Sequence, residues 1–147
     1  MSQKKFILTI SGHDPTCAAG MTMDVMVANK FNIHCLSVIN NLTIQDAKKL
    51  HKIINVDEKF FKENLKNLTK NFKVSGIKIG ALSSNKIIEE TANFVKTKSK
   101  IPIIIDPIIK AGGGGLFLKK ENLNLALKNL YPLATLIRPN REELLGL

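Results

Sequence analysis

Apolar and polar positions along the chain switch repeatedly between a strand pattern and a helix pattern. Phe6, Ile7, Leu8 and Ile10 form a nearly continuous apolar run that stops at Ser11-Gly12, as expected of a central strand covered on both faces. From Ala18 to Phe31, Met21, Val25 and Ala28, with Met26 and Val27 adjoining, recur at helical spacing without proline. They predict a crossover helix with this stripe in the core. Ile33 to Ile39 predicts a second strand, followed by a loop over Asn40 to Asp46, and residues 48–56 show no helical period. Asp57 opens a helix in which Phe61, Leu65, Leu68 and Phe72 share one face and lysines cover the other. Val74 to Ile79 predicts a third strand. Ser83 or Ser84 then caps a helix with Ile87, Ile88, Thr91, Ala92 and Val95 buried. Pro102 introduces the strand Ile103 to Ile105, Leu123 to Leu130 a helix, and Ala134 to Ile137 a last strand. This alternation predicts one doubly wound α/β unit with a mostly parallel sheet.

In such sheets ligands bind at the carboxyl ends of the strands, so the residues that end each strand are the first candidates for chemistry. After the first strand stand Gly12, Asp14 and a run of small residues from Thr16 to Gly20, with Asp24 inside the following helix. Taken as residues alone, Gly12 and Gly20 read equally well as turn formers and Asp14 as an Asx-turn residue. Gln45 follows the second strand, where its amide offers a donor and an acceptor together. Gly80 follows the third strand. Asp106 ends the fourth, where solvent or a ligand can reach its charge, although an aspartate before Pro107 also reads as a turn or cap. Asn140 and Glu143 follow the chain's last strand with N-x-x-E spacing, which on spacing alone reads as a helix capping box.

Composition narrows the function classes. The 147 residues carry 22 Lys and Arg against 12 Asp and Glu, a formal charge of +10. The cations are nearly all lysines spread over helix faces, with Arg138 and Arg141 as the arginines, no Trp and one Tyr. Nucleic-acid sites favour arginine forks and stacking aromatics, so no nucleic-acid role is expected. No run of about eighteen apolar residues occurs, and Met1 to Lys5 is too short and polar for a secretory signal, so the expectation is a soluble cytoplasmic protein away from membranes. Cys17 and Cys35 lack C-x-x-C spacing and read as reduced thiols. His34 and Cys35 point to opposite faces of their strand and do not share a metal. Lys110-Ala-Gly-Gly-Gly-Gly115 is no P-loop, since no Gly-Lys-Ser/Thr follows, and it reads as a flap over the site.

Five stretches carry a family resemblance. The first strand and turn resemble the N-terminal signature T-I-A-G-S/T-D-P/S-S-G-G-A-G-I-Q-A-D of hydroxymethylpyrimidine/phosphomethylpyrimidine kinases, a thiamine-biosynthesis branch of the ribokinase-like superfamily. The match is through Thr9, Ile10, Gly12, Asp14, Pro15, Ala19, Gly20 and Asp24. Cys17-Ala18 replaces the two glycines, and Met21-Thr22-Met23 replaces Ile-Gln-Ala. Ser37, Val38, Ile39, Leu42 and Gln45 match the family's second-strand stretch; Lys78, Ile79, Gly80 and Leu82 match K-I-G-M-L with Ala81 for the methionine. Ile103 to Pro107 resembles V-L/V-D-P. Pro139, Asn140 and Glu143 match T-P-N-x-x-E with Arg138 for the threonine.

The resemblance implies a three-layer ribokinase-like fold, with residues 1–147 forming a partial domain that corresponds to its N-terminal half. It implies a kinase that transfers phosphate from ATP, with Mg²⁺, to hydroxymethylpyrimidine and then to its monophosphate. Gly12, Asp24, Gln45, Gly80 and Asp106 are the implied substrate contacts, and Asn140 and Glu143 the implied metal contacts. The family's anion hole, nucleotide pocket and catalytic base lie later than the stretch matched, so no catalytic residue is assigned and turnover by this chain alone is left open. A homodimer, or pairing with the other half of the fold, is implied. A pyridoxal-type kinase fragment and a non-catalytic pyrimidine-binding protein are the alternatives; the stretch around Gln45 favours the pyrimidine branch.

Overall fold

The computed structural model describes residues 5–111 and 115–147. Among these residues six strands make one sheet: β1 (Phe6–His13), β2 (His34–Gln45), β3 (Leu50–Asn55), β4 (Val74–Ile79), β5 (Ile103–Ile105) and β6 (Leu136–Ile137), in the order β3-β2-β1-β4-β5-β6. All pairings are parallel except β2 with β3, which form an antiparallel hairpin. The helices are α1 (Gly20–Lys30), α2 (Glu58–Asn71), α3 (Asn85–Lys96), α4 (Lys120–Asn129) and α5 (Arg141–Gly146). The strand order reverses between β1 and β4, and that crevice is where an open α/β sheet offers a site.

Period-two alternation sets the two faces. Leu8 and Ile10 of β1 and Ile77 and Ile79 of β4 join Phe61 and Leu65 of α2, Ile87, Ile88, Ala92 and Val95 of α3, and Ala126 and Leu130 near the end of α4 in one buried cluster. The intervening residues Thr9 and Lys78 face the other way, toward α1, where Asp24 receives a hydrogen bond from each. This polar strip under α1 explains a departure from the sequence reading. Of the predicted stripe, Ala28 is buried and Met21 and Val25 are half-buried, whereas the adjoining Met26 and Val27 are 51% and 45% exposed and Phe31 is exposed as well.

A second departure is the hairpin. The stretch expected as a loop after Ile39 continues as strand to Gln45, and residues 50–55, for which no element was predicted, pair back on it. The turn is held by Asp46, whose Oδ1 accepts from the N–H groups of Lys48 and Lys49 at 2.7 and 2.9 Å. Helix starts were read more closely. Asp57 caps α2 by accepting from the Phe60 N–H at 3.0 Å. Ser84 takes the N-cap position of α3 without a side-chain bond, while Ser83 Oγ donates to Asn55 Oδ1 at 2.5 Å and ties α3's entry to the hairpin. The expected glycine flap lies in part at 112–114, outside the described residues; its flanks pair through Ala111 N–H to Gly115 O at 2.9 Å and Phe117 N–H to Ile109 O at 2.9 Å. No helix among the described residues is long and apolar enough to cross a membrane.

Candidate active site

A cavity of about 580 Å³ opens at the carboxyl edge of the sheet. Its wall is contributed in turn by the end of β1 and its turn (Ser11 to Asp14, Ala19, Gly20), by Thr43 and Gln45 of β2, by Ala81 after β4, by Asp106 to Ala111 after β5 in part, and by Ile137 to Asn140 and Glu143 after β6. Phe117 closes one side. A cavity of this size suits a small heterocycle with room for a phosphate group.

The floor at β1 depends on two glycines. A side-chain carbon on Gly12 would overlap the carboxamide of Asn41, which is fully buried on β2. Gly20 opens α1 at φ +65°, and a side chain there would meet the Gly12 carbonyl oxygen at 2.5 Å. Cys17 holds φ +57° in the same turn, at one of the positions where the resembling signature has glycine. Thr43 Oγ1 donates to the His13 carbonyl at 2.9 Å and locks the end of β1 to β2. Beneath the floor, Asn40 and Asn41 hydrogen-bond to each other, while Ser11 Oγ, His13 Nδ1, Asn40 Nδ2 and Asn41 Oδ1 are buried without a partner among the described residues.

Asp14 is 5% exposed. Its burial would raise the carboxyl pKa, but the Gln45 amide, the Thr16 N–H and hydroxyl and the Ala19 N–H together outweigh that and hold it below the usual carboxylate value. Asp14 is therefore an anion already satisfied by the protein, with Thr16 and Ala19 as its hydrogen-bond donors and the Gln45 amide nearby. On the far side, Asn140 and Glu143 form a reciprocal capping box: Asn140 Oδ1 accepts from the Glu143 N–H at 2.9 Å, and Glu143 Oε2 accepts from the Asn140 N–H at 2.8 Å. Glu143 is 8% exposed and its charge, after burial itself, helps push the Tyr131 phenol up to about 12.

Of the seven residues picked from sequence, Gly12, Gln45, Asp106, Asn140 and Glu143 line this one cavity. Asp24 and Gly80 do not, contrary to the expectation that all the substrate residues share it. Asp24 is held inside the fold by Lys78 Nζ at 3.0 Å and Thr9 Oγ1 at 2.5 Å. Gly80 is pressed against Ser11 and Lys78, and its N–H donates to Ile10 O at 2.9 Å, so its smallness serves the approach of β4 to β1. The sequence reading missed His13, Thr43, Lys110 and Phe117. Thr43 was legible in principle, because it alternates with Gln45 on one strand face, but only once residues 40–45 are seen to be strand.

The family model for phosphomethylpyrimidine kinase matches residues 14–147. The chain belongs to the phosphomethylpyrimidine kinase family. It is 29% identical over 136 residues to the hydroxymethylpyrimidine/phosphomethylpyrimidine kinase of Aquifex aeolicus, which covers 92% of this chain and 53% of that enzyme. The crystal structure of phosphomethylpyrimidine kinase from Clostridium difficile superposes with a TM-score of 0.87 at 29% identity, covering 95% of this chain and 61% of that one. An ADP complex of Bacillus subtilis pyridoxal kinase superposes at 0.83 with 25% identity, covering 96% of this chain and 52% of that one. The mostly parallel sheet is thus the ribokinase-like sheet of these vitamin kinases, and the chain spans about half the length of the curated relatives it matches.

Proposed function

We propose that this chain is the substrate-binding part of a hydroxymethylpyrimidine/phosphomethylpyrimidine kinase acting in thiamine biosynthesis in the cytoplasm. The observation that carries the reading is the convergence of Gln45, Asp106, Asn140 and Glu143 on one cavity in a chain of this family. Gln45, on the wall near Asp14, supplies a donor and an acceptor to the ring nitrogen and exocyclic amine of an aminopyrimidine. Gly12 lets the ring approach the backbone, and Ala81, Ile108 and Phe117 give it apolar contact.

In the full reaction the substrate's hydroxyl oxygen attacks the γ-phosphorus of ATP in line, the bond to the β-phosphate oxygen breaks, and the proton passes to a base; the second round uses a phosphate oxygen as nucleophile. Asn140 and Glu143 fit a magnesium ion that keeps its water shell, because their reciprocal bonds engage Asn140 Oδ1 and Glu143 Oε2 and leave Glu143 Oε1 without a hydrogen bond among the described residues. Bound there, the ion would screen a polyphosphate. The catalytic base and anion hole are expected from the portion of the fold that the matched relatives have beyond this half, supplied by pairing with that other half.

The test is binding and ADP release by residues 1–147 with hydroxymethylpyrimidine, ATP and Mg²⁺, alone and mixed with the complementary half of a full-length relative. Pyrimidine binding by the lone chain with turnover only on complementation is the expected outcome. Turnover by the lone monomer contradicts the partial-domain reading, and binding without turnover in either case favours a non-catalytic pyrimidine-binding protein. A pyridoxal-type substrate is the second reading, favoured by the likeness to the Bacillus subtilis enzyme, and tighter binding of pyridoxal than of hydroxymethylpyrimidine would select it.

A further inference from the structure

Lys110 and Arg138 stand on the wall of the same cavity, and neither takes part in an ion pair among the described residues. The pairs there join His51 to Asp46, Lys62 to Glu90, Lys78 to Asp24 and Lys86 to Glu58. Both cations come from neighbouring strand ends. Arg138 directly follows β6, and its N–H donates to the Ile105 carbonyl of β5 at 2.9 Å. Lys110 lies four residues past Asp106 and is bridged to Leu116, whose neighbour Gly115 packs against Leu50. Their backbones are therefore anchored while both side chains are exposed.

The carboxylates that could neutralise them are partly committed. Asp14 is engaged by Thr16 and Ala19, and one oxygen of Glu143 is bound to the Asn140 N–H, while Asp106 on the same wall has no side-chain hydrogen bond or ion pair among the described residues. Two like charges on one concave wall repel each other and draw in an anion. A guanidinium fork beside an ammonium suits a phosphoryl group, with several oxygens to share between them. The strands that lead into this pair, β5 and β6, are separated from Gln45 on β2 by the width of β1 and β4, and Lys110 also borders a second hollow with Asn140 and Glu143, so the cavity has a ring-binding end and a cationic end.

We propose that Lys110 and Arg138 form a phosphoryl-binding pair at the β5–β6 end of the cavity. The inference rests on the kinase reading only for the source of the phosphoryl group, which is either the phosphate of a phosphorylated substrate or the terminal phosphates of the nucleotide.

Calorimetry on the 147-residue chain at fixed ionic strength tests it with four probes: inorganic phosphate, free hydroxymethylpyrimidine, its monophosphate, and a non-hydrolysable ATP analogue. Arg138→Gln and Lys110→Gln are compared with Lys66→Gln, which removes the same charge from an exposed position of α2. Each cavity variant is expected to weaken inorganic phosphate and one phosphorylated ligand about tenfold while moving the free alcohol less than about twofold. Selective loss of the monophosphate places the substrate's phosphate on the pair, and selective loss of the ATP analogue places the nucleotide's there. Phosphate binding that is unchanged in both variants, or that falls equally in Lys66→Gln, overturns the proposal. Wild-type binding of phosphate without binding of the free alcohol would remove the kinase reading and leave the pair standing.

Discussion

Lys78 Nζ lies 3.0 Å from Asp24 Oδ2, and this pair joins β4 to α1 underneath the cavity without entering it. Both side chains are about a quarter exposed or less, 25% and 20%, and Thr9 Oγ1 completes the coordination of the same oxygen. Asp24→Asn is expected to lower stability by about 1–2 kcal/mol, because it leaves a part-buried ammonium without its charge partner. Denaturant unfolding measures this. Ligand affinity should fall less than it does for Gln45→Ala, and the opposite ranking would return Asp24 to the substrate contacts.

Gly12 and Asn41 are coupled by space. Gly12→Ala pushes a methyl group into the buried Asn41 carboxamide and is expected to cost about 1–3 kcal/mol. Asn41→Ala opens that space, so the double variant should recover most of the loss. A double-mutant cycle showing simple additivity would contradict the contact.

Cys17 occupies left-handed backbone at φ +57° in an exposed turn. Cys17→Gly should therefore raise stability, by up to ~1 kcal/mol after the larger entropy loss of glycine is subtracted. A lower unfolding midpoint in the glycine variant would show that the turn is unstrained.

Tyr131 is the chain's single tyrosine and there is no tryptophan, so its ionisation can be followed by absorbance alone. Burial, and then the Glu143 charge, push its phenol up to about 12 from an ordinary value of 10.0. The sign follows from linkage. The folded state keeps the proton more tightly, so this contribution is fully present below pH 10 and is lost as pH rises through about 12. Tyr131→Phe should flatten the corresponding part of the stability profile between those values. Glu143→Gln should bring the absorbance midpoint down, and an unmoved midpoint would separate Glu143 from Tyr131.

Much of the fold was legible because its core strands and helices obey single periods. Val74–Ile79 was bounded as observed, and α2 and α3 bury the faces their spacing predicts. The β2–β3 hairpin was not, since residues 50–55 expose most of their side chains and mix His51 and Lys52 with apolar residues, which hides the strand period. The face of α1 was read in part: Met21, Val25 and Ala28 turn inward, but Met26 and Val27 do not, and beneath the helix lies the polar Thr9–Asp24–Lys78 set, which no helical period reveals. In the site, Gln45 and Asp106 could be found as residues that follow or end strands, and Asn140 with Glu143 by the family resemblance, since their spacing alone reads as a capping box. His13 and Lys110 belong to the cavity only through the meeting of segments distant in sequence. Asp24 and Gly80 were drawn into the site by motif, although their neighbours put them to structural use.

The most direct measurement of the central claim is calorimetric titration of the 147-residue chain with hydroxymethylpyrimidine, beside its Gln45→Ala variant. A saturable wild-type isotherm is expected, with affinity reduced about tenfold or more in the variant, because loss of the amide leaves polar groups of the bound ring without partners. Equal affinities in two folded proteins, or no binding by the folded wild type, would contradict the account.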